Sequence, residues 1–322
     1  MELLALSNCL YRVYKSQEER VKKVLVTGSE GLVGSALTKL LGRRGVSVLP
    51  LDIALPINHP GHGDIMNFDF VSRRLDGCDG VVHLAAVSRV VAGQRNPELC
   101  WKTNVHGTAN VLNAALDAPS KPWVIVVSSR EIYGEPQSLP VREDARAQPV
   151  NIYGCSKLEG ERIALEARNR GLSVGVVRLS NVYGSVQDHP DRVVPAFARA
   201  AAEGGTLRVQ GSENTFDFTH LDDTVAGLFC LAEQLSSGQL AIPPLHLVAG
   251  HATTLAELAS LAVTAAGTSA RIVEEPPRNY DVCRFRGDPT MTSAVLNWHA
   301  EINILEGMRR LVGAFKQVRE MA

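Results

Sequence analysis

A chain of 322 residues, 45% apolar and 21% charged, carries enough apolar side chain for a substantial buried core and is not the composition of a disordered polymer. Its formal net charge of −1 offers no electrostatic basis for binding nucleic acid or an anionic membrane, so any anion must be met by a local site. The cysteines Cys9, Cys78, Cys100, Cys155, Cys230 and Cys283 form no Cys-x-x-Cys pair, which argues against a zinc site or a disulfide framework and for a reduced, cytoplasmic protein with no metal.

Residues 1–20 precede the first strand and read as an N-terminal arm. The stretch Met1 to Leu10 is apolar but carries Glu2 and lacks a basic leader and a small-residue cleavage site, so it is not read as a signal peptide. No apolar run approaches the roughly 20 residues that cross a bilayer. From residue 22 onward short Val/Ile/Leu-rich runs alternate with helix-period segments, the pattern of a parallel sheet covered on both faces. Strands are expected at Lys23 to Thr27, Val46 to Leu51, Gly80 to Leu84, Trp123 to Ser128 and Ser173 to Arg178. Helices are expected at Gly31 to Arg43, Pro97 to Leu116 and Tyr153 to Asn169. The expected architecture is α/β, a doubly wound parallel sheet of Rossmann type over residues 21–180, with later segments able to return to it. After residue 180 the pattern loosens into helices near Val193 to Glu203, Leu221 to Leu235, Thr254 to Ala265 and Ile302 to Lys316. Residues 181–322 are therefore expected to form mainly a smaller α/β lobe.

The first strand runs straight into Gly28-Ser-Glu-Gly31-Leu-Val-Gly34 and then a helix. Glycines in that position allow backbone to approach a ligand closely, and the free N–H groups and dipole of the helix start suit a pyrophosphate. A glycine turn with no ligand is the alternative, and the flanking strand and helix speak against it. The second strand ends at Asp52, 18 residues beyond Gly34, where a carboxylate accepts hydrogen bonds from an adenosine ribose and repels a 2′-phosphate. NAD is favoured over NADP on that ground; an ordinary strand-end aspartate is the bland alternative.

Tyr153-Gly-Cys-Ser-Lys157 puts a phenol and an ammonium one turn apart on one helix face. Tyr11 and Lys15 have the same spacing but precede the first strand, so they are taken as a decoy. Tyr153 begins the helix that follows the strand ending in Ser128-Ser129, so a hydroxyl and a phenol converge at the carboxyl edge of the sheet. A phenol near pKa 10 is a poor base, and a nearby ammonium together with a positively charged nicotinamide is expected to favour its phenolate. It would then take a proton from a substrate hydroxyl as hydride leaves the same carbon.

These residues resemble the extended short-chain dehydrogenase/reductases, the NAD-dependent epimerase/dehydratase family that includes UDP-galactose 4-epimerase and dTDP-glucose 4,6-dehydratase. The resemblance runs from about residue 22 to 315 and is carried by the glycine turn with Tyr153/Lys157 and five further motifs. They are Gly63-Asp64-Ile65, His83-Leu-Ala-Ala86, Asn104-Val-His-Gly-Thr108, Ser128-Ser-Arg-Glu-Ile-Tyr-Gly134 and Arg178-Leu-Ser-Asn-Val-Tyr-Gly184. It implies that Asp64 and Ile65 contact the adenine, that Leu84, Ala85 and Ala86 line the cofactor groove, and that Lys157 holds the nicotinamide ribose. Leu32 and Val33 join the glycines Gly28, Gly31 and Gly34 in the cofactor-binding set. Ser88, Ser129, Arg130, Asn181 and Arg278 form the substrate-binding set, with Ser129 on the reacting hydroxyl, Asn181 on the sugar or diphosphate and Arg278 on the diphosphate. For Asn104 a buried structural amide and a functional role both stay open. The helices at 97–116 and 153–169 would pair across a homodimer, and the substrate would be a nucleoside-diphosphate sugar.

Two departures bear on the reaction. Phe216 stands where many relatives carry an arginine that clamps the substrate phosphate, in Thr215-Phe-Asp-Phe218. Arg130 and Glu131 stand where the 4,6-dehydratases carry an acidic pair, and an arginine is no general acid at neutral pH. Glu131 supports chemistry at C5 of the sugar unless it forms a structural ion pair with Arg130 or another cation. The expectation leans to a 4-epimerase working through a transient 4-keto sugar on Ser129, Tyr153 and Lys157. A 4,6-dehydratase using Glu131 as C5 base is the close alternative, and a non-catalytic NAD-binding regulatory protein the alternative of another class.

Overall fold

The computed structural model describes residues 21–239, 241–276 and 282–321. Strands β1 (Lys23–Thr27), β2 (Ser47–Leu51), β3 (Gly80–His83), β4 (Trp123–Ser129), β5 (Val174–Leu179) and β9 (Leu245–Leu247) form one sheet in the order β2-β1-β3-β4-β5-β9. Every neighbouring pair in it runs parallel. Alternate residues serve opposite faces of this sheet. Val24, Val26, Ile125 and Val127 pack with Leu37 and Leu41 of α1 (Leu32–Arg43) and Leu228 and Leu231 of α8 (Leu221–Ser236). Leu25, Val81, Val124 and Val126 pack on the other side with α2 (Phe68–Leu75), α5 (Gly107–Asp117) and α6 (Ile152–Asn169). Burial on both faces explains why these strands read as unbroken apolar runs rather than alternating ones.

The expected single helix from Pro97 to Leu116 is not continuous. It divides into α4 (Pro97–Trp101), a π-helical turn at Lys102–His106, and α5; a short α3 (Val90–Arg95) precedes it. The wide turn lets the buried Asn104 side chain reach two partners at once. Its Nδ2 donates to the Val87 carbonyl at 3.1 Å and to Ser156 Oγ at 2.9 Å, and its Oδ1 accepts from the Val87 amide at 2.8 Å. With its amide fully engaged in this way, Asn104 has the environment of a structural residue.

Beyond β5, strands β6 (Asn181–Tyr183), β8 (Thr215–His220) and β10 (Ala252–Thr254) make a small sheet, and β7 (Thr206–Gln210) pairs with β11 (Arg271–Glu275). Helices α7 (Val193–Glu203), α9 (Leu255–Ala266) and α11 (Ile304–Met321) gather a separate core around Phe197, Leu258 and Leu311. The short α10 (Thr290–Leu296) lies against β9 through Thr292, whose hydroxyl donates to the His246 carbonyl at 2.6 Å. Among the described residues no helix is long and apolar enough to cross a membrane.

Candidate active site at the carboxyl edge of the sheet

The chain reverses its direction of sheet growth between β1 and β3, and the crevice at such a switch point is where open α/β sheets hold ligands. Gly28 follows β1 with φ of +70°, and a Cβ there would lie 2.6 Å from the Ala85 nitrogen. A Cβ on Gly34 would fall 2.0 Å from the Gly28 carbonyl oxygen. Strand end, turn and helix therefore pack too closely for any side chain at either position. Helix α1 opens at Leu32 with Gly31 as its N-cap, no side chain capping it and no acidic residue in its first turn. Half-buried Leu32 and Val33 flank this uncapped start. The residues present thus fit a dinucleotide: the turn admits a diphosphate against bare helix-start N–H groups.

The other expected cofactor residues surround that turn. Asp52 Oδ2 accepts from the Glu30 amide at 2.9 Å and Oδ1 from the Ala54 amide at 2.9 Å, which holds the carboxylate beside the glycines with lone pairs to spare. Asp64 Oδ1 accepts from the Met66 amide at 2.9 Å, and Ile65 is buried. The amides of Leu84 and Ala85 both donate to Thr27 Oγ1 at 3.2 Å, and Ala86 follows, half-buried. Thr27 Oγ1 lies 2.8 Å from His83 Nδ1, and His83 Nε2 lies 2.9 Å from Thr108 Oγ1. Burial, aided by the Lys157 charge, pushes the His83 imidazole down to about 3, so a neutral ring pins β1 and β3 to α5. Ser88 is exposed on the loop that follows, next to Arg89, whose Nη1 pairs with Asp191 at 2.6 Å.

Asn151 caps α6 by accepting from the Gly154 amide at 2.8 Å, and this start aims Tyr153 and Lys157 at the end of β4. Tyr153 is buried, and the Ser129 hydroxyl acts on its phenol. Lys157 Nζ donates to the Val127 carbonyl at 2.9 Å and lies 5.9 Å from the centre of the Tyr153 ring. Burial pushes Tyr153 up to about 12, and the opposing influences are the Ser129 hydroxyl and Arg192, with the lysine turned to a carbonyl. Burial likewise pulls Lys157 down to about 8.

Glu131 and Arg130 form an ion pair, Nη2 to Oε1 at 2.9 Å, both nearly closed to solvent. The second carboxylate oxygen, Oε2, accepts from Asn151 Nδ2 at 2.9 Å. Arg130 also donates from Nε to Asn181 Oδ1 at 3.4 Å, and its guanidinium lies 4.8 Å from the centre of the Phe216 ring. The structure thus brings together Ser129, Tyr153, Lys157, Glu131, Arg130 and Asn181, whereas Arg278, Tyr11 and Lys15 lie outside the described residues.

Sequence reasoning assigned no role to three participants. Asn151 joins the helix cap to Glu131; an Asn one residue before an apolar helix start was the available signal. Arg192 acts on Tyr153 from the loop before α7, and only tertiary structure reveals it. Under the site, Arg178 pairs with Glu161 of α6 at 2.8 Å and donates to Tyr133 Oη at 2.6 Å, and Tyr133 Oη lies 2.7 Å from His246 Nε2 on β9.

Residues 24–242 match the family described as NAD dependent epimerase/dehydratase. The chain is 31% identical over 320 residues to a dTDP-glucose 4,6-dehydratase of Streptomyces griseus, a match that covers 92% of this chain and 94% of that protein. It is 29% identical over 312 residues to a UDP-glucose 4-epimerase of Mycolicibacterium smegmatis, covering 91% and 98%. Other relatives at about 30% identity include UDP-glucuronic acid decarboxylases. Among solved structures, MoeE5 in complex with UDP-glucuronic acid and NAD superposes with a TM-score of 0.82 at 27% identity, covering 93% of this chain and 100% of that one.

Proposed function

The chain belongs to the NAD-dependent epimerase/dehydratase family, and from that premise we propose that it is a nucleotide-sugar 4-epimerase working through a transient 4-keto sugar. Ser129 Oγ and Tyr153 Oη would hold the C4 hydroxyl, and Tyr153 would take its proton as the carbon is oxidised. Bound NAD supplies the chemistry this chain lacks, accepting hydride from the sugar carbon and returning it. Gly28, Gly31 and Gly34 with the start of α1 would hold its diphosphate, Asp52 its adenosine ribose, and Asp64 and Ile65 its adenine. Leu84 to Ala86 would line its groove, and Lys157 would leave the Val127 carbonyl to hold its nicotinamide ribose and to stabilise the Tyr153 phenolate. Tyr153 would give the proton back to the C4 oxygen, and a ketone reduced on its opposite face would have C4 inverted.

The observation that carries the epimerase reading is the state of Glu131. Both oxygens of Glu131 are tied in place by donors, Arg130 on one side and Asn151 on the other, which is the structural ion pair that competes with a role as C5 base. The dehydratase reading keeps one observation in its favour, a carboxylate buried two residues from Ser129. Incubation with NAD and a panel of nucleoside-diphosphate sugars in deuterated water separates the two. An isomer of unchanged mass without solvent deuterium is expected; loss of water with deuterium at C5 would replace this reading by the dehydratase. Exposed Leu99 and Trp101 on α4 support the accompanying proposal that the chain forms a homodimer through this surface.

A further inference from the structure

Thr27, His83 and Thr108 lie buried under the crevice at the switch point, and their partners fix where each proton sits. Thr108 Oγ1 lies 2.6 Å from the Asn104 carbonyl oxygen, which only accepts, so the single hydroxyl proton of Thr108 goes there. His83 Nε2 lies 2.9 Å from the same Oγ1 and therefore donates to it. Burial, aided by the Lys157 charge, keeps the ring neutral, so Nδ1 carries no proton and accepts from the Thr27 hydroxyl at 2.8 Å. With its own proton given to the ring, Thr27 Oγ1 has its lone pairs left for the amides of Leu84 and Ala85, both at 3.2 Å. Every bond thus points one way, from those amides through Thr27, His83 and Thr108 to the Asn104 carbonyl.

The other tautomer does not fit this chain. A proton on Nδ1 would face a Thr27 oxygen that already accepts from two amides, and bare Nε2 would face a Thr108 oxygen whose proton is committed to Asn104. Unmet donors and acceptors in a closed site carry their full desolvation cost, which selects the Nε2–H ring. Both ends of the chain reach backbone that the site depends on. At one end the Ala85 nitrogen lies 2.6 Å from where a Cβ on Gly28 would fall, so the Leu84–Ala85 backbone rests on the glycine turn. At the other, Asn104 in the π-helical turn donates to Ser156 Oγ, which donates to the Tyr153 carbonyl at 2.8 Å. Ser156 lies between Tyr153 and Lys157 on α6.

We infer that His83, as its Nε2–H tautomer, is a positioning residue that holds the Leu84–Ala85 backbone against the glycine turn and in register with the helix carrying Tyr153 and Lys157. The inference rests on the reading that Leu84 to Ala86 line the cofactor groove, and it is independent of which sugar reaction follows. The two ring nitrogens have separate tasks. Nδ1 serves the cofactor side through Thr27, and Nε2 serves the catalytic helix through Thr108 and the Asn104 turn.

The first measurement needs no variant. In a long-range proton–nitrogen correlation spectrum of the full chain made with isotope-labelled histidine, the His83 ring should show a protonated Nε2 and a bare Nδ1 at neutral pH. A ring protonated on Nδ1, or a mixture of the two tautomers, would overturn the inference. The second measurement separates the nitrogens. Asparagine places an amide oxygen close to the position of Nδ1, and glutamine an amide nitrogen close to that of Nε2, so His83→Asn keeps the acceptor for Thr27 and His83→Gln the donor for Thr108. By fluorescence titration H83N is expected to bind NADH within about threefold of wild type and H83Q to bind it weaker by about tenfold or more. By hydrogen exchange the amides at the start of α6 should open about tenfold or more faster in H83N and little faster in H83Q. Equal NADH affinities in the two variants, or the reverse pattern, would overturn this inference alone. Wild type that binds no NADH would overturn the reading of the cofactor groove and this inference with it.

Discussion

Arg178 on β5 and Glu161 on α6 face each other beneath the site, Nη2 to Oε2 at 2.8 Å, with 10% and 4% of their side chains exposed. The pair ties the helix bearing Tyr153 and Lys157 to the sheet, and Arg178 extends the tie to Tyr133 and the Glu143 carbonyl. Replacing the arginine alone strands a buried carboxylate. R178M should lower stability by about 3–5 kcal/mol, and R178M/E161Q by clearly less, in urea denaturation. Equal losses in the two variants would show that the charge pair itself is not what holds the helix.

Tyr153→Phe removes one oxygen from a buried ring and leaves its packing in place. Turnover should fall by roughly 10²- to 10⁴-fold while the melting temperature stays close to wild type. A loss of less than about tenfold would assign the proton transfer to another group.

Asp52 faces the glycine turn through the Glu30 amide. Its charge should make NADH bind more tightly than NADPH, and Asp52→Asn should narrow that gap by about tenfold or more, followed by fluorescence titration. An unchanged ratio would place the discrimination elsewhere.

Burial lowers Lys157 to about 8 from 10.5. Between pH about 8 and 10.5 the unfolded chain therefore holds a proton that the folded protein has released, so this group makes stability rise with pH across that window. Below about 8 its buried charge is a standing cost. Thermal melting of wild type and K157M across the window should show a steeper rise in wild type; parallel curves would contradict the shift.

Acid acts through two buried imidazoles. His83 and His246 are each pushed down to about 3 by burial, so between pH 6.5 and about 3 only the unfolded chain takes up their protons and stability falls as pH falls. Asp217 works in the opposite sense. Burial raises it to about 6 from 3.8, so within that interval the folded protein keeps a proton the unfolded chain has lost, and stability falls as pH rises. D217N should steepen the acid-side loss seen in urea melts, and a shallower loss would reverse this assignment.

What was legible in the sequence was local. The first five strands lie within a residue of their expected ends because each is a largely apolar run, and β1, β3, β4 and β5 are buried on both faces. The glycine turn and the Tyr153/Lys157 pair could be read because strand, turn and helix are contiguous in the chain. Strand β9 could not, since Leu245-His246-Leu247 follows two prolines and becomes a strand only by pairing with β5. The Pro97 to Leu116 segment has an unbroken helical pattern, and its wide turn is set by Val87 and Ser156, which no local pattern reveals. The stack of Arg130 on Phe216 and Phe285 joins three distant segments, so the sequence marked Arg130 as unusual without showing what holds it.

Strand β9 also governs how this protein must be made. The sheet that carries the glycine turn has its last position filled from residues 245–247, and α8, which covers one face, ends at Ser236. A ribosome that has delivered only the first five strands leaves the edge of β5 without its neighbour and the apolar residues Val177 and Leu179 without α8. Nascent chains stalled before residue 236 should therefore stay protease-sensitive and bound by chaperones, and those stalled with residue 247 clear of the exit tunnel should not.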